Sequence, residues 1–469
     1  MNQELSERCG LRFVWDLVEP HSPFGREALR AAQPFRDADA LRTELVLLRR
    51  LLETPALATV EPELNRVLDG LKDIRGSLCR VRDNRTLTLT ELFECKGLLL
   101  GLESLRNALK AANLTGVLPL SDSGEALQIL DPSGERKRSF FLEDTATSVL
   151  CELRRKKRET EARLYRASGT EAEELRLRRE ELCAAEEREE ALLREKLSRQ
   201  LAPFSDALLA DCETVGHLDL LLCKRRLFLS ENLCIPEIRE GNICLVGARN
   251  PAVEEALRGT AFVPVSLTLE PGVTVITGAN MGGKSVALKT VALNVVLALC
   301  GWPVYAERAE LPLLAEPLLL AGDAEQAGNA LSSFGGEVVA LRMALETYGE
   351  GSLLLVDEPA RGTNPEEGAA LVRSLVRYLG RRPGFALLTT HFDGIAAEAG
   401  SHYRVAGLRD MEEETLRREL ETSSLSGPEI IARHMDYGLI PGHPGDACPR
   451  QALMVCRLLG LPEEIWGSV

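Results

Sequence analysis

The sequence has no apolar run long enough to cross a bilayer. Its longest, Val291–Trp302, has the length of a buried helix, and no membrane association is expected. Met1–Arg8 is polar and acidic, so no signal peptide is expected there either. None of the 12 cysteines stands in a Cys-X-X-Cys pair. They scatter through apolar segments, as Cys151, Cys244 and Cys300 do, which predicts reduced thiols in a cytoplasmic protein. A positive balance is also missing: 71 acidic residues face 56 Lys and Arg, for a net charge of −15. A non-specific nucleic-acid binder carries a broad positive surface, so only a local basic face would serve here. With 23 prolines and 38 glycines in 469 residues, the chain has neither a fibrous nor a disordered composition. No internal repeat is visible, and the length predicts two to four domains.

What is present falls into two parts. Residues 1–235 read as mainly helical, with leucine and alanine at helical spacing in Ala40–Leu52, Glu61–Leu78 and Glu91–Ala111. Two short strands, Ala126–Leu130 and Ser139–Leu142, are expected around the turn Asp131-Pro132-Ser133-Gly134, giving a small hairpin near 126–142. Residues 151–204 are the most charged block and open on the run Arg154-Arg155-Lys156-Lys157-Arg158. Basic and acidic residues nearly cancel there, and the leucines form a sparse stripe. The pattern fits a long exposed helix or a helical hairpin turning near Gly169. The basic run either touches phosphate or forms a solvated face offset by neighbouring glutamates. From about 236 to 469 short β-rich runs separated by glycines predict an α/β domain, closing in helix and loop.

The α/β part carries the chemistry. The strand Val273–Thr277 feeds into Gly278-Ala279-Asn280-Met281-Gly282-Gly283-Lys284-Ser285, and a helix follows. This is the phosphate-loop pattern in its required strand–loop–helix setting. Glycines let the backbone curl so that successive N–H groups and the helix N-terminus face an anion. Lys284 is placed for the β- and γ-phosphates of ATP, and Ser285 for a magnesium ion. The apolar run Leu353–Val356 ends in Asp357 and Glu358. Asp357 is a second magnesium ligand, and Glu358 is placed to activate the attacking water. The competing reading is a surface acidic pair. A third strand, Phe385–Thr389, ends at Thr390-His391, which puts His391 at the active edge of such a sheet, sensing the γ-phosphate or positioning water, or else serving structure. A small-residue loop over 323–337 leads into a helix, where Ser333 offers its hydroxyl to phosphate or simply caps the helix.

Together these residues resemble the ATPase domain of the MutS family, a branch of the ABC-type ATPases. The run Thr277–Ser285, Leu355–Glu358 with Arg361-Gly362-Thr363, and Thr389-Thr390-His391-Phe392 carry the resemblance. Ser332-Ser333-Phe334 with Glu337 is similar to the family's signature loop. The resemblance implies ATP and Mg2+ as cofactors. It also implies a homodimer with two composite sites, each completed by Ser333 of the other subunit. The helical region resembles the family's core and lever domains, with Val215–Asp219 where the levers return to the ATPase. Tyr437–Gly442 and Ala452–Pro462 are similar to the end of the same domain. Two departures bear on nucleotide affinity: Asn250 replaces the histidine of a usual Arg-His-Pro run, and Val265 follows Phe262-Val263-Pro264 where asparagine is common. The residues before the helical region leave no room for a mismatch-recognition domain. The resemblance therefore implies an ATPase acting on duplex DNA without mismatch reading. The alternative it implies is a protein-remodelling ATPase, such as one that reactivates a cobalamin-dependent aminomutase.

Overall fold

A computed structural model describes residues 3–116, 118–136, 148–257, 261–278, 282–321, 333–407, 435–443 and 462. A mainly helical N-terminal region precedes a mixed α/β domain. Two compact units divide the chain. One comprises Met1–Val18, Ala32–Arg49 and Lys224–Val469, the other Glu19–Ala31 and Arg50–Cys223.

This division differs from the single cut expected near residue 235, and long-range contacts explain why. The Trp15 ring lies 4.7 Å from that of Trp302. Asn250 Nδ2 donates to the Cys9 carbonyl at 3.0 Å, and Phe35 N–H donates to Leu299 O at 2.9 Å. Lys224 and Glu44 form a buried ion pair, with the ammonium 5.4 Å from the centre of the Trp302 ring. Composition carries no trace of contacts spanning 180 residues or more. Asn250, one of the two departures, thus has a structural use: it is buried and anchors the first helix.

In the helical unit the elements begin where local chemistry dictates. Ser22 accepts from Gly25 N–H at 2.9 Å and caps Pro23–Arg30, whose first residue is a proline. Thr88 and Glu91 form a reciprocal capping box at the start of Leu89–Ala111. The run Val215–Asp219 lies in the Ser205–Ser230 helix. There Gly216 lets the Phe24 backbone approach, since a Cβ would stand 3.0 Å from Phe24 O. The buried Asp219 carboxylate accepts from His21 N–H at 3.1 Å, Ser22 N–H at 2.6 Å and Ser22 Oγ at 2.7 Å.

The charged block forms a helical hairpin, Ser148–Leu164 and Thr170–Leu201, with Gly169 at φ 64° before the second helix. Four of the five residues of its basic run, Arg154 to Lys157, pair with glutamates of the hairpin. Arg154 pairs with Glu186 at 2.9 Å and Glu190 at 2.8 Å, and Lys157 with Glu186 at 2.6 Å. Arg155 pairs with Glu152 and Glu159, and Lys156 with Glu152. Of the two readings of this run, the offset helix face is the one these pairs support. The strand expected at Ala126–Leu130 is instead the helix Gly124–Leu130. Ala126, Leu127 and Leu130 fit a helical face as well as a strand, and all three are buried on it. Its expected partner, Ser139–Leu142, lies outside the described residues.

The α/β unit holds two sheets. Strands β1 (Glu237–Ile238), β2 (Ile243–Ala248), β3 (Val265–Leu269) and β5 (Arg308–Leu311) form one, in the order β1-β5-β2-β3. Val265, the second departure, is buried as the first residue of β3 and pairs with Ala248. The other sheet runs β10-β9-β4-β8-β7-β6. Its strands are β4 (Gly272–Thr277), β6 (Leu318–Leu320), β7 (Leu353–Val356), β8 (Phe385–Thr390), β9 (Ser401–Gly407) and β10 (Asp436–Pro441). All neighbours are parallel except β10, which is antiparallel to β9. Strands β7 and β8 are buried at every position, as parallel strands covered on both faces must be. The Lys284–Leu299 helix is apolar nearly all round and correspondingly buried. Because β4 lies between β8 and β9, the chain leaves β4 for the far side of the sheet and later returns to both flanks. That is the switch point at which α/β sheets open a crevice at their carboxyl ends. Among the described residues no helix is long and apolar enough to cross a membrane.

Candidate functional site

The parallel register fixes which residues share an edge. Thr277 pairs with Thr390, and Val356 with Leu388, so β4, β7 and β8 all end on one side. Gly278 leaves β4 there, Asp357 and Glu358 leave β7, and His391 follows β8.

Gly278, at φ 148°, and Gly283, at φ 81°, occupy backbone regions that side chains resist. Both are also crowded. A Cβ on Gly278 would stand 3.1 Å from Val405 Cβ, and one on Gly283 3.2 Å from Tyr437 Cδ1. Burial pushes the Tyr437 phenol above its ordinary pKa. Gly282 is buried, and Gly283 is the N-cap of the Lys284–Leu299 helix without side-chain capping, which leaves that N-terminus to an external acceptor. Ala279, Asn280 and Met281 lie outside the described residues.

Lys284 is buried. Its ammonium donates to the Gly278 carbonyl at 2.7 Å and pairs with Glu358 Oε1 at 2.9 Å. A buried ammonium is costly unless an opposite charge and hydrogen bonds offset its lost hydration, and here both do. The Glu358 side chain is only 10% exposed, and its other charged neighbours are more distant. His391 Nδ1 lies 3.9 Å from Oε1 and Arg361 Nη1 3.9 Å from Oε2. His391 Nδ1 has no hydrogen-bond partner among the described residues, and its ring lies 4.5 Å from that of Phe392.

The structure adds residues that sequence reasoning left without a role. Thr389 Oγ1 donates to Asp357 Oδ1 at 2.7 Å and accepts the Glu358 N–H at 2.9 Å. One hydroxyl thereby fixes both acidic residues. Glu358, at φ 44°, and Ala360, at φ 64°, adopt left-handed backbone conformations around Pro359. Such conformations persist where the surroundings overdetermine them. Glu337 Oε1 accepts the Ala360 N–H at 2.6 Å and holds this turn from the Ser333–Thr347 helix. His402 Nε2 bonds Thr277 Oγ1 at 2.8 Å, steadying the residue before the loop. A small polar residue ending a buried strand was the available signal for Thr389. Thr389→Val is expected to lower any turnover at this site about tenfold, since Asp357 and the Glu358 backbone lose their shared partner. Steady-state phosphate release checks it, and unchanged turnover rejects the role.

Ser285 is the second residue of its helix and Asp357 follows β7, so a hydroxyl and a carboxylate lie along this edge. Among the described residues no group of three or more His, Cys, Asp or Glu is placed to hold a metal. Two hard oxygen donors suit Mg2+, which keeps several waters and takes phosphate oxygens to complete its shell. Ser333 is the first residue of the Ser333–Thr347 helix; Ser332 lies outside the described residues.

The largely parallel sheet, with Lys284 and the acidic end of β7 at one edge, is consistent with the MutS/ABC ATPase architecture. Residues 274–425 match the family described as MutS domain V, and a domain of that family is present in this chain. Beyond it, the chain is similar over its full length to proteins described as Endonuclease MutS2 from Streptococcus pneumoniae. Those of strain ATCC 700669 / Spain 23F-1 and of strain D39 / NCTC 7466 are each 25% identical over 528 aligned positions, taking in 100% of this chain and 64% of theirs. The chain thus spans 64% of the length of these relatives.

Proposed function

We propose that this chain binds ATP with Mg2+ at the carboxyl edge of the six-stranded sheet and hydrolyses it. The observation that carries the reading is the convergence of Lys284, Gly278 and Glu358, with Thr389 fixing Glu358 and Asp357. Backbone N–H groups of Gly282 and Gly283 and the helix N-terminus bind the phosphates. So do those of Ala279, Asn280 and Met281 on this reading. Lys284 compensates their charge. Ser285 and Asp357 hold Mg2+, which when bound supplies Lewis-acid stabilisation of phosphate oxygens. Glu358 takes the proton of the attacking water, and His391, at the same edge, positions that water. The left-handed turn after β7 aims the Glu358 carboxylate, so it is preorganised for this task.

On the same reading the chain is a homodimer, and Ser333 reaches the phosphates held by the partner subunit. The test is one mixing experiment. Lys284→Ala alone is expected to lose ATP binding, and Ser333→Ala alone to lose turnover. Mixed, the two chains are expected to regain part of the turnover, because a hybrid dimer holds one intact site. Wild-type ATP affinity in Lys284→Ala rejects the phosphate role. An absence of recovery on mixing rejects shared sites.

ATP turnover would then drive a shape change that acts on a macromolecule, either duplex DNA or a protein client. The internal pairing of Arg154–Lys157 favours a protein client over DNA held by the hairpin, because those cations are already spent on glutamates. No residue described above singles out a particular client such as a cobalamin-dependent aminomutase.

A further inference from the structure

The arginines around the end of the Pro365–Leu379 helix contrast with those of the hairpin. Arg373 and Arg377 lie in the helix, and Arg381 and Arg382 in the turn that follows it, before β8. Glu398 is the one carboxylate engaged with this group among the described residues, and Arg377 takes it at 2.9 Å. Arg373, Arg381 and Arg382 have no ion pair among the described residues. In a chain of net charge −15, where Arg154 to Lys157 are all matched by glutamates, such a cluster is conspicuous. The helix macrodipole favours one cation in the last turn, which accounts for Arg377 and not for the others.

An aromatic ring lies in the same place. Tyr378 is 41% exposed, and the Arg382 guanidinium sits 4.3 Å from its ring centre. Ser374, Arg377, Tyr378, Arg381 and Arg382 line one groove. The groove lies at the amino end of β8, whereas the phosphate loop lies at the carboxyl edge. Six residues of strand, roughly 17 Å, separate the two levels.

We propose that this groove binds single-stranded nucleic acid, with Arg381 and Arg382 on backbone phosphates and Tyr378 under an unstacked base. All the cations are arginines, whose planar fork matches a phosphate bidentately. A half-exposed ring beside them is a stacking platform that a duplex, with its bases already stacked, cannot use. An acidic protein segment would satisfy the charge and leave the exposed part of the ring, beyond its contact with Arg382, unused. The surface is separate from the ATP site, so the proposal stands whether or not that site turns over.

The test uses the full chain and a fluorescently labelled oligo(dT) 20-mer, read by anisotropy without nucleotide. Wild-type binding is expected to weaken roughly 7- to 20-fold between 50 and 200 mM salt, as two or three phosphate contacts imply. Arg381→Gln with Arg382→Gln is expected to lose at least tenfold in affinity at 50 mM salt and to flatten that dependence. Tyr378→Ala is expected to lose about tenfold while keeping it. The far-ultraviolet circular dichroism and thermal midpoint of these variants are expected to match wild type, which shows that they fold. Failure of the wild type to bind at 50 mM salt overturns the proposal, as does undiminished binding by the double variant. Displacement of the probe by poly-glutamate at equal charge concentration, as effective as by oligo(dT), overturns it in favour of an acidic protein partner.

Discussion

Glu358→Gln is expected to bind ATP as the wild type does and to turn it over on the order of 10²- to 10⁴-fold more slowly, the usual contribution of a placed general base. The amide has the size of the carboxylate and still offers Lys284 an oxygen, so the 2.9 Å contact and the Lys284 bond to Gly278 have no steric reason to be lost. What disappears is the ability to take a proton from water. The Glu358 N–H bond to Thr389 is a backbone interaction and survives the change. Fluorescent-nucleotide titration and phosphate release on the same preparation separate binding from turnover. Wild-type turnover in the variant would remove Glu358 from the chemistry.

The second large effect is one of stability. Asp219→Ala is expected to destabilise the helical unit by about 3–5 kcal/mol, from about 1–3 kcal/mol for each buried donor left without an acceptor. The His21 and Ser22 N–H groups both point at this carboxylate, and Ser22 Oγ donates to it while capping the Pro23–Arg30 helix. Gly25 packs against the same carboxylate, since a Cβ there would overlap Asp219. Asp219→Asn keeps one acceptor oxygen and is expected to fall between the two. Urea unfolding followed by helical circular dichroism checks the order wild type, Asn, Ala. An Ala variant within 1 kcal/mol of wild type would deny Asp219 this role.

The parts of the site that lie within one short stretch were legible in the sequence. Gly278–Ser285 reads as a phosphate loop because glycine placement and strand–loop–helix order are local properties. Asp357 and Glu358 were legible because a buried apolar run seldom ends in two carboxylates. The links across strands were not. Nothing near Thr389 announces that its hydroxyl serves two residues 31 and 32 positions away. The Glu337 contact with Ala360 likewise exists only once the helix packs beside the turn. Much of the helical part was legible from leucine spacing, but the charged block fitted a single long helix as well as the hairpin turning near Gly169 that it forms. The short run Ala126–Leu130 was not, because five residues fit both periods and burial decided between them. The grouping of the first helices with the α/β unit depends on pairs such as Trp15–Trp302, which no local pattern encodes.

The antiparallel strand β10 has a consequence beyond closing the sheet order. It covers the outer backbone of β9, which in turn flanks the strand feeding the phosphate loop. Without it, β9 would present a ladder of unsatisfied N–H and C=O groups, a template on which a foreign strand can add. The opposite margin is blunted another way, since β6 is only three residues long and offers little to copy. β10 is then the margin itself, and its register shift between Asp436 and Leu439 and its final Pro441 make it a poor template, while brevity does the same for β6.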